Sequence, residues 1–217
     1  MRDPDLLMTL PERADPAHTA LLVVDVQNDF CAKGGYIDQT VRADVSGAEG
    51  VANAIIPVVE SARASGVPVI WIRATYDWKN LHGPMLVKYR EAGFNAVCCA
   101  EGSWGADWYI VRPAPGEEIV TKHRYSAFVG TNLDDLLRAR RIRSLVVTGV
   151  ATNVCVDSTL RDGFLRGYYI VVPKECVGCP SKELHEATLK NVQFLLGDVV
   201  SNTQLIELWS ARKARAA

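Results

Sequence analysis

The chain has 217 residues and a mass of 23.8 kDa, a length that favours one domain, spanning residues 1–217, around one large core. Hydrophobic residues make up 48% and charged residues 23%, ordinary usage that excludes a wholly disordered, collagenous or membrane-embedded chain. The formal charge is −1, from 24 Lys and Arg against 25 Asp and Glu, with no long run of either sign, which argues against nucleic acid and for small-molecule ligands.

In chain order, the first element is Ala20 to Val26 (ALLVVDV), a near-continuous apolar run that reads as a strand buried on both faces. From Ala48 to Gly66, Val51, Ile55, Val58, Val59 and Ala62 form a helical stripe, in which Pro57 predicts a kink or a later start. Strands follow at Val67 to Ile72 and Glu118 to Lys122, a helix at Asn132 to Arg141, and a strand at Leu145 to Val150. Thr152 to Arg166 reads as helix, Tyr169 to Val172 as strand and Lys182 to Leu196 as helix; a short strand near Val199 precedes a helix around Leu205 to Trp209. Apolar strands alternating with amphipathic helices predict a doubly wound α/β sheet, because each parallel crossover lays a helix on one face. The long stretch from Ala74 to Gly116 predicts a lid or binding segment.

Six cysteines, at 31, 98, 99, 155, 176 and 179, are too few for a stapled mini-protein and are expected to be reduced. The N-terminal stretch MRDPDLLMTLPERADP has no basic patch followed by an apolar run, and no segment reaches the roughly 18 apolar residues of a spanning helix. The expectation is a cytoplasmic protein with no membrane contact.

Catalytic groups of such a sheet belong at the carboxyl ends of strands. Three residues stand there: Asp25 after LLVV, Lys122 closing EEIVTK, and Cys155 just past LVVTGVATNV. Cys155 falls in the first turn of a helix, where free amides and the dipole favour the thiolate, so it is either a nucleophile or a buried structural cysteine. Asp25 is either the base that takes the thiol proton or a loop-tying carboxylate; Lys122 either steadies both or is simply solvated.

These residues, in LLVVDVQNDF, TKHRYSAF and VVTGVATNVCVDSTLRDGF, resemble the isochorismatase-like cysteine hydrolases over roughly residues 20–201. The YSAF segment and the cysteine motif look closest to the ureidoacrylate amidohydrolase and N-carbamoylsarcosine amidase type. The resemblance implies a three-layer αβα sandwich on a six-stranded, mostly parallel sheet. It further implies a catalytic triad of Asp25, Lys122 and Cys155, a cis peptide at Val150-Ala151, and an oxyanion hole from the Ala151 and Cys155 amides. The implied reaction is cleavage of a C–N bond in a small linear amide, carbamoyl or ureido compound through a thioester, by a homo-oligomer, dimer or tetramer.

The metal motif of nicotinamidases, D-x-H-x-x-x-H, is matched here by Asp77 to Gly83, with Lys79 and Gly83 in the histidine places. A lysine there does not bind a cation, so no metal and no other cofactor is expected. Nicotinamide deamidation and a non-catalytic binding protein on the same fold are the alternatives. Gln27, Tyr76, Trp104, Tyr125, Phe128 and Asn153 are the candidate substrate contacts, each with a bland counterpart: a turn for Gln27, a helix cap for Asn153, core for the aromatics. Asp29 and Trp78 are weighed in the same way. Cys176 and Cys179 have redox-pair spacing but no second half of a zinc site follows, adjacent Cys98 and Cys99 default to thiols, and alternation points His123 away from Lys122.

Overall fold

The structure, a computed structural model, describes residues 6–216, the side chains of 212–216 apart. Residues 1–5, the start of the stretch read above for a leader, and residue 217 lie outside the described residues. The strands are β1 (Thr19–Val24), β2 (Val69–Ala74), β3 (Glu118–Lys122), β4 (Ser144–Val150), β5 (Tyr169–Pro173), β6 (Val177–Gly178) and β7 (Gly197–Val200). All pair in parallel, in the order β3-β2-β1-β4-β5-β7, with β6 beside the end of β4. The path has the six strands expected, and two-residue β6, too short to leave a pattern in the sequence, makes the seventh.

Two short helices, α1 (Leu10–Arg13) and α2 (Asn28–Cys31), precede the long α3 (Ala48–Ala64). After them come α4 (Gly83–Glu91), α5 (Leu133–Ala139), α6 (Asp157–Leu165), α7 (Lys182–Asn191) and α8 (Asn202–Ala216). β1 is buried at every position, as a central parallel strand must be. Its side chains alternate between layers: Leu21 and Val23 meet α3 and α8 through Ile55, Val59 and Trp209, while Leu22 and Val24 meet α5 and α6 through Leu133, Leu137 and Leu160. Those two apolar layers account for most of the buried surface, at about 25 cal/mol per Å² of apolar area removed from water.

Three expectations need correction. The helix α3 runs unbroken across Pro57, because Pro57 and the carbonyl of Asn53 that it leaves unpaired both lie on the exposed face. The segment after β2 is not structureless: His82 caps α4, Pro84 fits its first turn, and the helix gives way at Gly93, whose φ is +72°. The expected helix at Thr152 to Arg166 opens as a π-helical turn, Thr152–Val156, before α6 begins.

The sheet changes winding direction between β1 and β4: β2 and β3 build out on one side, β5 and β7 on the other. Crevices at such switch points hold the ligands of open α/β sheets. Here β1 and β4 run in register from Thr19 against Ser144 to Val24 against Gly149. Gly149, at φ +110°, must be glycine, since a Cβ there would collide with the Val24 carbonyl. That approach brings the residues after Val24 and Val150 together.

Candidate active site

Asp25 leaves β1 with φ +54°, a left-handed turn that Asp tolerates better than most residues, and its amide donates to the Ile72 carbonyl at 2.9 Å. Lys122 ends β3, two strands away across β2, and its long side chain spans that gap. Its Nζ lies 2.7 Å from Asp25 Oδ2, with both side chains almost wholly shielded from solvent. Cys155 follows β4 in the Thr152–Val156 turn, its Sγ 3.4 Å from the same Nζ. The three residues singled out at strand ends therefore meet at the switch point. The Val150-Ala151 peptide bond is cis, as the resemblance implied.

Among the described residues, neither Asp25 oxygen receives a hydrogen bond in good alignment; the carboxylate is held by charge, with Lys122 on one side and the Cys155 thiol on another. Burial pushes the Asp25 carboxyl above its ordinary value despite Lys122, which makes it a stronger base than a surface carboxylate. Burial disfavours the Lys122 ammonium, but Asp25 and Cys155 outweigh it and hold the amine protonated.

Cys155 differs from expectation. A position in the first turn predicts a depressed thiol pKa, yet burial and the Asp25 carboxylate outweigh Lys122 and the Tyr76 hydroxyl, and the thiol is pushed up to about 12. The resting site thus holds a neutral thiol beside a carboxylate of raised basicity, with one ammonium balancing one negative charge. One proton is shared between Asp25 and Cys155, and either location leaves the site with the same net charge.

Of the other candidate contacts, Tyr76 comes closest to the sulfur: its hydroxyl accepts from Lys122 Nζ at 3.0 Å, lies 3.3 Å from the Arg124 carbonyl and 3.7 Å from Cys155 Sγ. The Tyr125 ring meets Tyr76 edge-on at 6.4 Å, and Phe30 does so at 6.3 Å. Tyr89 of α4, for which no motif in the sequence argued, lies near enough to Tyr125 for the two phenols to influence each other's ionisation. Asn153 is half-buried in the turn that carries Cys155, and no side chain caps that turn.

Three of the expected contacts are corrected. Gln27 is fully buried, and its amide is consumed by backbone: Nε2 donates to the Ala74 and Ala106 carbonyls, and Oε1 accepts from the Ala74 amide at 2.8 Å. It ties the segment after β2 to the end of β1. Trp104 is 54% exposed and stands off the buried cluster. Phe128 lies in the layer beneath the sheet, stacked on Tyr168 at 6.0 Å and covered by the Arg166 guanidinium.

His123 turns away from the triad, as alternation predicted, and its Nδ1 meets Thr75 Oγ1 at 2.9 Å. All six cysteines are free. Cys176 donates to the Ala54 carbonyl while Cys179 donates to that of Ser181, so the two are not a pair. Asp29, Cys98 and Cys99 bring three ligand-type atoms within 4.8 Å of one another. The Asp29 carboxylate there is taken up by the amides of Tyr36 and Cys99.

A cleft of about 360 Å³ adjoins the site, lined by Phe30, Val45, Val150, Ala151, Gly178 and His185 among others. It reaches the cis peptide rather than the sulfur itself, but His185 Nδ1 bonds Thr152 Oγ1 at 2.9 Å in the turn that carries Cys155. The arrangement holds a thiol, a base for its proton and a fixed cation at the end of a cleft, the parts that a covalent acyl transfer needs.

Comparison with known proteins gives a consistent result. The family model described as Isochorismatase domain matches residues 19–204. The ureidoacrylate amidohydrolase RutB of Methylobacterium radiotolerans is 41% identical over 203 residues, covering 86% of this chain and 78% of that protein. Among solved structures, a cysteine hydrolase from Pseudomonas syringae pv. phaseolicola superposes with a TM-score of 0.80 at 25% identity, covering 91% of this chain and 94% of that one. N-carbamoylsarcosine amidase from Thermoplasma acidophilum gives 0.68 at 26% identity, covering 85% and 95% respectively.

Proposed function

The chain belongs to the isochorismatase family, as a hydrolase of amide C–N bonds, and from that premise we propose that it is a cysteine amidohydrolase of small linear ureido compounds, ureidoacrylate first among them. The observation that carries this reading is the meeting of Asp25, Lys122 and Cys155, with one ammonium 2.7 Å from the carboxylate and 3.4 Å from the sulfur.

In the proposed reaction Asp25 accepts the Cys155 proton as the sulfur attacks the ureido carbonyl, and Lys122 balances the charge wherever it lies. The tetrahedral oxyanion is received by the Ala151 and Cys155 amides, donors already in place before the charge develops. The C–N bond breaks, and the leaving nitrogen takes the proton from Asp25. Water then attacks the thioester carbonyl, giving one proton to Asp25, and that proton returns to the departing sulfur. One carboxylate serves both halves, which suits its raised proton affinity. The cleft beside Ala151 is the substrate route in this reading, leading to the turn that carries Asn153 and Cys155.

A reducing cytoplasmic setting suits a thiol nucleophile and six free cysteines. No described helix is long and apolar enough to cross a membrane. The reading also includes a dimer or tetramer, supported by Leu165, Phe194 and Leu195, exposed at 78%, 78% and 68%.

The test is ammonia release, with downstream hydrolysis of any carbamate followed alongside, from a panel of ureidoacrylate, biuret, N-carbamoylsarcosine and nicotinamide. Ureidoacrylate is expected to lead, and Cys155→Ala is expected to lose turnover by orders of magnitude. Nicotinamide leading the panel reverses the substrate assignment. Full turnover by Cys155→Ala removes the mechanism.

A further inference from the structure

We propose that the Tyr76 hydroxyl is a catalytic hydrogen-bond donor to the Cys155 thiolate during attack, a role that rests on the nucleophile assigned above. The need for a second donor follows from the hydrogens that Lys122 can supply. An ammonium has three to give. Four acceptors surround that of Lys122: Asp25 Oδ2 at 2.7 Å, the Tyr76 hydroxyl and the Arg124 carbonyl each at 3.0 Å, and Cys155 Sγ at 3.4 Å. The three hydrogens go to the phenol, the carbonyl and the sulfur, while Asp25 is held by charge; the sulfur is the most distant of the four and receives a single hydrogen from Lys122, which leaves a thiolate room for a second donor.

Tyr76 has one hydrogen and two acceptors within reach, the Arg124 carbonyl at 3.3 Å and the sulfur at 3.7 Å. Lys122 already serves that carbonyl, so the phenol is free to turn to sulfur without stranding a buried polar atom. While the thiol keeps its proton, the carbonyl is the better acceptor. Once the proton has moved to Asp25, the negative charge sits on sulfur and the hydroxyl follows it. No bond at Tyr76 breaks; the phenol keeps its proton throughout.

The donor is held in place for this. Tyr76 is buried, its amide donates to the Cys98 carbonyl at 3.0 Å, and Phe30 and Tyr125 grip the ring from two sides. The ionisable groups facing it are Cys155, Asp25 and Lys122, with Tyr89 beyond. Burial, reinforced by the first two, holds the phenol well above its ordinary pKa and so keeps it a donor at every working pH.

The experiment is alkylation of Cys155 by iodoacetamide, followed by peptide mapping as a function of pH, in the wild type and in Tyr76→Phe. Loss of the hydroxyl is expected to displace the pH profile to the alkaline side and to lower the rate at fixed pH about 10-fold. The kcat for ureidoacrylate is expected to fall about 10- to 100-fold with KM little changed. A purely structural ring moves neither the profile nor kcat in this way. Difluorotyrosine at position 76, a stronger donor of the same shape, is expected to shift the profile to the acid side, and it decides the matter if Tyr76→Phe does not fold. An unmoved profile in both variants overturns the proposal. Shifted alkylation with no ureidoacrylate turnover by the wild type retains the donor and removes the substrate; Cys155-dependent turnover untouched by Tyr76→Phe does the reverse.

Discussion

Replacing Lys122 by Met keeps an unbranched side chain of nearly the same length and deletes its charge, leaving Asp25 as a buried carboxylate without its counter-ion. The pair is 2.7 Å apart with side-chain exposures of 0% and 1%, so this is the case in which removing one partner costs about 3–5 kcal/mol. In a domain of this size each kcal/mol is worth about 2–4 °C of melting temperature, so a loss of about 6–20 °C is expected. The pH dependence has a definite sign. Burial already places the Asp25 carboxyl above its unfolded value, and removing Lys122 raises it further. A group with a raised folded pKa contributes fully below its unfolded pKa, and that contribution is lost as pH rises through the folded one. The deficit of Lys122→Met is therefore largest at neutral pH and narrows as pH falls toward the unfolded carboxyl value of about 4. Adding Asp25→Asn removes the orphaned charge and is expected to recover most of the stability at neutral pH, with ureidoacrylate turnover still absent. Urea unfolding followed by circular dichroism at the two pH values reads all of this. A Lys122→Met protein as stable as the double variant at neutral pH would refute the electrostatic account of the site.

Glu117 anchors the outer end of β2: it accepts from Trp71 Nε1 at 2.7 Å, from the Ala114 amide at 2.8 Å and from Arg63. Glu117→Ala leaves the indole N–H of fully buried Trp71 unpaired and is expected to cost about 1–3 kcal/mol without altering kcat; equilibrium unfolding with a parallel assay checks both. Burial raises the Glu117 carboxyl, but the bonds from Arg63, Ala114 and Trp71 outweigh it and hold it low. Its contribution is thus present above the unfolded carboxyl value and fades as pH falls through the folded one, so wild type and Glu117→Ala should converge in acid. Cys155→Ser is expected to unfold close to the wild-type denaturant midpoint while turnover collapses, because Sγ, although it borders the apolar layer, faces Lys122 and Tyr76, which a hydroxyl of similar size can also bond. Light scattering is expected to return a dimer or tetramer, and a monomer at micromolar concentration contradicts that part of the reading.

Much of the site was legible because a parallel α/β sheet writes its catalytic edge into the sequence as the ends of apolar runs. Asp25, Lys122 and Cys155 each close or follow such a run, and strand order then brings them to one crevice. What the runs do not encode is how far each group is shielded. The first-turn position of Cys155 suggested a thiolate, whereas complete burial beside Asp25 keeps the thiol protonated at rest. The misreading of Gln27 has a similar origin. A polar residue past a strand end is equally suited to ligand or backbone, and only the return of the chain past Ala74 and Ala106 decides between them. Phe128 and Tyr125 sit three residues apart in one motif and diverge into core and site, because that segment turns through the edge of the sheet. The helix α4 did leave signals, Pro84 in its first turn and Gly93 just past its end, and it supplies Tyr89. Seeing that Tyr89 reaches Tyr125 required the folded path of the whole segment.

Turnover by the proposed route passes through a covalent bond between substrate carbon and Cys155 sulfur. Wild-type protein mixed with ureidoacrylate, quenched in acid within a turnover and digested for mass spectrometry, is expected to carry a carbamoyl or acyl adduct on the peptide that holds Cys155. An unmodified Cys155 during steady turnover, together with hydrolysis by Cys155→Ala at the wild-type rate, would contradict it.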